Sequence, residues 1–160
     1  GFLHRGNISP EKSVRDIEFN NFEEVFAVNT FGPALIMKYF LPLLPRDRQS
    51  VVAFLSARVG SISDNQLGGW YAYRASKAAL NMLIKNASIE TARKFKQAAI
   101  IGLHPGTVET DLSEPFKSNI KEGHLFTPEY ATECLLKVIN DTTPEKTGAL
   151  IDWDNKIIEY

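Results

Sequence analysis

Tyr73 and Lys77 place a phenol and an ammonium four residues apart, in the run Tyr71-Ala72-Tyr73-Arg74-Ala75-Ser76-Lys77-Ala78-Ala79-Leu80. The next stretch, Asn81-Met82-Leu83-Ile84-Lys85-Asn86-Ala87, is rich in helix formers and holds neither Gly nor Pro. Residues i and i+4 share a helix face, so the two side chains are expected side by side. A cation beside a phenol favours the phenolate and lowers its pKa from the reference near ~10. The pair therefore predicts an acid and base usable near neutral pH. Tyr71 lacks this arrangement, since Ala75 stands four residues beyond it.

The elements that must position this pair follow from apolar patterning. Asn20 and Asn21 precede Phe22-Glu23-Glu24-Val25 and read as helix caps. The helix they open is expected to run to about residue 44, bent by Gly32-Pro33. Residues 50–55 form a short apolar run, as in a strand buried on both faces. Residues 57–69 read as a glycine-containing loop, and the Tyr73/Lys77 helix spans about 70–94. A second buried strand is expected at 98–103. Residues 104–126 show no clear periodicity, and a segment of that length inside a domain is usually functional. Its apolar Leu112, Phe116 and Leu125 read equally as core or as a substrate lid. Thr127-Pro128 is a strong helix start, for a helix to about 140. Residues 147–152 read as a third strand, and 153–160 as a tail or turn-back. Alternating helices and buried strands predict an α/β layer fold with a parallel sheet. Three strands are few for such a sheet, and the sequence holds no glycine-rich phosphate loop. The expectation is a chain whose opening strands precede Gly1, and which binds dinucleotide poorly on its own.

Composition narrows the function classes. The chain has 160 residues, 44% hydrophobic and 23% charged, with a formal net charge of -1. That charge gives no sign of a nucleic-acid or anionic-membrane partner. No apolar run approaches the length of a membrane span. The single cysteine, Cys134, excludes an internal disulfide and suits a reducing, cytoplasmic compartment. His4, His104 and His124 lack metal-ligand spacing, so no metal is expected.

Four features in order resemble the short-chain dehydrogenase/reductase family. Asn29 lies in Val28-Asn29-Thr30-Phe31-Gly32-Pro33, and Ser56 follows the first strand. Tyr73-x-x-x-Lys77 carries Ala75-Ser76-Lys77-Ala78-Ala79, and His104-Pro105-Gly106-Thr107-Val108-Glu109-Thr110 follows the second strand, with His104 read as a loop residue. Residues 68–82 are similar to the branch containing C-factor and sniffer-type carbonyl reductases. The resemblance covers nearly all of the chain, as the C-terminal two-thirds of such a protein. It implies one incomplete NAD(P)-binding domain over 1–160, a Rossmann-like doubly wound parallel sheet with a substrate loop at about 104–126. It implies hydride exchange between a nicotinamide cofactor and a small carbonyl or alcohol. Tyr73 would be the general acid/base, and Lys77 would lower its pKa and bond the nicotinamide ribose. Asn29 would hold a water linking Lys77 to solvent, and Ser56 would bond the carbonyl oxygen. The cofactor, NADP or NAD with NADP slightly ahead, would contact Tyr73, Lys77, Pro105, Gly106, Thr107, Val108 and Thr110. The full-length protein would be a homodimer or homotetramer, pairing helices equivalent to 20–43 and 70–94.

One position departs from the family pattern. The family usually places its serine second in a Ser-Ser pair, three residues before a glycine. Counting back from Gly60, that position is Ala57, so Ser56 comes one residue early; Ser61 is a second candidate. The departure keeps open another function on the same scaffold: binding or cell signalling with little or no turnover.

Overall fold

The computed structural model describes residues 1–119 and 123–160. Helix α1 (Phe19–Phe26) runs into a π-helical segment (Ala27–Phe31) and then α2 (Gly32–Phe40). Asn20 and Asn21 do not cap this helix: Phe22 N–H already bonds the Glu18 carbonyl at 3.2 Å, which places both asparagines inside the first turn. The expected irregularity also sits earlier than Gly32-Pro33. Pro33 has no N–H to give the Asn29 carbonyl four residues back, and Gly32 N–H instead reaches Ala27, five residues back. The chain thus widens at Asn29. Such π-turns inside helices are frequent at functional sites.

Strand β1 (Ser50–Leu55) is followed by a 3-10 turn at Arg58–Gly60 and by α3 (Tyr71–Thr91). Then come β2 (Ala98–His104), β3 (Thr107–Val108), a 3-10 turn (Glu114–Asn119) and β4 (Leu125–Phe126). Helix α4 (Pro128–Asn140) precedes β5 (Leu150–Asp152) and β6 (Ile157–Ile158). Thr127 caps α4 by accepting Tyr130 N–H at 3.2 Å, with Pro128 in the first turn, as the sequence predicts.

The main sheet has the order β1-β2-β5-β6. Strands β1, β2 and β5 are parallel, with Ser50 opposite Ala98 and Gly102 opposite Leu150. Strand β6 turns back antiparallel on β5. It occupies the stretch read as a tail, because two residues give no periodicity to detect. Strands β3 and β4 form a separate parallel pair within the 104–126 segment; residues 120–122 of that segment lie outside the described residues. β2 is buried almost throughout, whereas β1 is mostly half-buried. Burial of β1 on both faces is not realised, because it lies at the sheet's edge.

Side chains alternate across the sheet, so each face carries its own core. Phe54 and Ile100 pack with Leu80 and Ile84 of α3 and Met37 of α2. Ile101, Leu103 and Ile151 pack with Val138 of α4 on the other face. This three-layer arrangement leaves the carboxyl ends of β1, β2 and β5 at one rim, where open α/β sheets bind ligands.

Candidate active site

Helix α3 delivers Tyr73 and Lys77 to that rim. Lys77 Nζ lies 5.7 Å from the centre of the Tyr73 ring and donates to the carbonyl of Leu55, the last residue of β1, at 2.9 Å. The turn that follows β1 packs closely on α3 at Gly60. A Cβ there would stand 2.8 Å from both the Lys77 carbonyl carbon and the Lys77 Cβ. The predicted pairing on one face is therefore present.

Its electrostatics differ from the expectation. Tyr73 is 8% exposed and Lys77 3% exposed. Burial pushes the Tyr73 phenol up to about 12 and Lys77 down to about 8. The ammonium's attraction for a phenolate is outweighed by the loss of water around both groups. At neutral pH the phenol keeps its proton, which suits an acid rather than a base.

Asn29 is buried at the widened turn and uses both amide N–H groups and one acceptor position of Oδ1. Its Oδ1 accepts Phe2 N–H at 2.7 Å, while Nδ2 donates to the Phe2 carbonyl at 2.7 Å and to Ser76 Oγ at 3.1 Å. Thr30 Oγ1 donates to the Ser76 carbonyl at 2.9 Å. Asn29 is thus tied to α3 between Tyr73 and Lys77, through Ser76. Ser56 Oγ donates to Asn81 Oδ1 at 2.6 Å, and Asn81 Nδ2 donates to the Gly60 carbonyl at 3.3 Å. This turns the Ser56 hydroxyl toward α3, one turn beyond Lys77. Ala57 packs in the same buried cluster as Tyr73 and Leu3. Ser61 Oγ accepts Asp64 N–H at 3.1 Å and caps a local turn.

The Pro105–Thr110 turn leaves the carboxyl end of β2. Gly106 has φ +77, and a Cβ there would lie 2.5 Å from Phe126 Cε2, so only glycine fits. Thr107 and Val108 form β3. Thr110 is exposed; its N–H donates to Ser113 Oγ at 3.2 Å. Ser113 Oγ in turn donates to the Val108 carbonyl at 2.6 Å, which stiffens the turn. The following residues cover the tyrosine: Leu112 and Phe116 pack against the Leu3, Ala57 and Tyr73 cluster. Phe116 also lies 4.8 Å from the Trp70 ring and 6.0 Å from His4.

Several participants escape sequence reasoning. Ser76 and Asn81 carry no chemical signature, and their partners lie far away in the chain. His104 is the last residue of β2 rather than a loop residue, with a buried, unpartnered Nδ1. Burial, then the Arg58 charge, pushes it down to about 4, against the pull of Asp152 and Asp64. The donor set fits a nicotinamide nucleoside. Among the described residues one of the three Lys77 N–H groups meets an acceptor, Leu55, so two would be left for the ribose hydroxyls of a bound nucleoside.

Residues 5–121 match the family model described as short chain dehydrogenase, and the chain belongs to that family. Its curated relatives include 1-hydroxy-2-glutathionyl-2-methyl-3-butene dehydrogenase of Rhodococcus sp. (strain AD45), 33% identical over 147 residues, 92% of this chain and 62% of that protein. C-signal of Myxococcus xanthus is 33% identical over 145 residues, 91% of this chain and 82% of that protein. NADPH-bound carbonyl reductase from chicken fatty liver aligns with a TM-score of 0.80 at 25% identity, over 99% of this chain and 62% of its own. The carbonyl reductase Sniffer of D. melanogaster shares the fold, with a TM-score of 0.81 at 22% identity over 98% of this chain and 64% of its own. The fold is Rossmann-like, and the chain spans 62% of the length of the Rhodococcus relative.

Proposed function

We propose that the full-length protein is an NAD(P)-dependent oxidoreductase that interconverts a small carbonyl compound and its alcohol, chiefly by reduction. The observation that carries this reading is the Tyr73–Lys77 pair, anchored on the carboxyl end of β1 and holding a protonated phenol at neutral pH. A bound reduced nicotinamide supplies the hydride. Tyr73 Oη gives its proton to the carbonyl oxygen as the alcohol forms. The resulting phenolate faces the Lys77 ammonium, which holds its proton more weakly than the phenol does. Proton return from Lys77 is therefore downhill. Asn29 takes the solvent link through its backbone carbonyl, since its side-chain amide is engaged and Pro33 has no N–H to offer that carbonyl. Pro105, Gly106, Thr107, Val108 and Thr110 line the nicotinamide, with Thr110 bonding its carboxamide. NADP is slightly favoured over NAD. The test is oxidation of NADPH or NADH by the full-length protein with a panel of aldehydes and ketones, beside its Tyr73→Phe variant.

Ser56 enters this reading as the hydroxyl for the carbonyl oxygen, a role that requires it to exchange its bond to Asn81. Ser56→Ala is then expected to lower kcat about 10-fold or more, as loss of an oxyanion donor does. Ala57→Ser, which puts a hydroxyl in the Tyr73 cluster, is expected to raise kcat. If Ser56→Ala is neutral while Ala57→Ser gains, the donor belongs at Ala57 and the native chain works without one.

The Ala57 departure, with the similarity to C-signal, supports a second reading: a binding or signalling protein with little turnover. Nucleotide binding by full-length protein with no turnover across the carbonyl panel would favour it.

We also propose self-association and a cytoplasmic location. Val28, Phe31, Leu35 and Tyr39 form an exposed apolar stripe on the π segment and α2, as expected of an interface between copies. Leu35→Glu is expected to shift the full-length protein from dimer or tetramer to monomer in sedimentation; an unchanged mass would place any contact elsewhere. Among the described residues no helix is long and apolar enough to cross a membrane. Cell fractionation tests the location.

A further inference from the structure

Helix α3 begins without the residue type that usually begins a helix. Ser, Thr, Asp and Asn favour the N-cap because their side chains accept a free N–H. Here the N-cap is Trp70, whose side chain makes no cap bond and whose backbone is left-handed, at φ 52 and ψ 45. For a bulky L residue this conformation is strained and persists only where its surroundings impose it. Glu11, far upstream in the sequence, imposes it. Its backbone carbonyl accepts Trp70 N–H at 2.6 Å, and its carboxylate Oε2 accepts Ala72 N–H at 3.1 Å. Glu11 is 3% exposed, and among the described residues it forms no ion pair. A buried carboxylate is tolerated only where it is well bonded, and the helix N-terminus supplies both the N–H and a favourable field. Both contacts fall on the turn that carries Tyr73, whose ring meets the Trp70 ring edge-on at 6.2 Å.

We propose that Glu11 is a positioning residue for the acid-base tyrosine. By clamping Trp70 and Ala72 together, it fixes the depth and rotation of the first turn of α3, and hence the point at which the Tyr73 hydroxyl is presented. The proposal rests on the reading of Tyr73 as proton donor. Gln keeps an acceptor at the same reach and so keeps the clamp. Ala removes its carboxylate half, leaving Ala72 N–H unpaired while the backbone bond to Trp70 remains.

The test is steady-state reduction of an aldehyde by the full-length protein, with kcat expressed per folded molecule from near-UV circular dichroism. Glu11→Ala is expected to lower kcat about 10- to 100-fold, the scale of a displaced catalytic group, while KM for the nucleotide moves less than about threefold. Glu11→Gln is expected to restore kcat to within about threefold of the parent. If Glu11→Ala does not fold, Glu11→Asp, one methylene too short to reach Ala72 N–H, is read in the same way. An unchanged kcat per folded molecule overturns the proposal, as does a Gln variant as slow as the truncated one. Tyr73→Phe runs alongside. Turnover surviving there removes the tyrosine from the mechanism, whereas its loss there with full turnover in Glu11→Ala overturns only the role given to Glu11.

Discussion

Replacing Tyr73 by Phe is expected to lower carbonyl turnover by about 10²- to 10⁴-fold, the usual contribution of a positioned general acid. The fold should survive. Phe keeps the ring that packs with Leu3 and Ala57, and losing one hydroxyl changes stability by no more than about 1.5 kcal/mol. The same substitution has a signature in stability that does not depend on substrate. The phenol's pKa is raised from 10.0 to about 12 in the folded chain, so between those values the folded state holds a proton that the unfolded state has lost. That contribution is fully present below pH 10 and disappears as pH rises through about 12. Urea unfolding of the parent should therefore weaken with pH in this window more steeply than that of the Phe variant. Reduced-nicotinamide consumption and the alkaline unfolding midpoint check the two halves separately. Undiminished turnover would take Tyr73 out of the chemistry; parallel alkaline curves would mean that its phenol is not held in a dry environment.

Much of the scaffold could be read from the sequence because its signals are local. An unbroken apolar run marks β2, Thr127-Pro128 marks the start of α4, and the i, i+4 spacing puts Tyr73 and Lys77 on one face. The misreadings share a different cause. Asn20 and Asn21 have the right chemistry for caps, but the first turn closes on Glu18 before they can act. β6 has two residues and exists only because β5 offers it an edge. For Tyr73, spacing reveals the neighbouring cation and not the burial that Leu112 and Phe116 complete from about forty residues further on. Ser56 and Ala57 illustrate the same limit. Both stand at the end of one strand, and only the fold tells which side chain meets α3 and which meets the tyrosine. The Glu11 contact with Ala72 joins residues 61 apart, which no local pattern can reveal.

Replacing Lys77 by Met is expected to stabilise the chain by about 1–3 kcal/mol at neutral pH while impairing turnover. An ammonium that is 3% exposed has exchanged most of its hydration, among the described residues, for a hydrogen bond to the Leu55 carbonyl. Its pKa falls from 10.5 to about 8 for that reason, a difference worth about 3 kcal/mol before the lost bond to Leu55 is subtracted. The sign follows from proton counting. Below about pH 8 the lysine is charged in both states and the burial penalty is complete. Between about 8 and 10.5 the unfolded chain holds a proton that the folded chain has released, so the stability of the parent rises with pH. The advantage of the Met variant must therefore shrink across this window and be nearly gone at its upper end. Denaturant midpoints of the two proteins at about pH 7 and pH 10 measure this directly, and a difference that does not change with pH would mean that Lys77 is not a buried cation. On the proposed mechanism, such a residue trades stability for a proton held loosely beside Tyr73, as returning a proton to a buried phenolate would require.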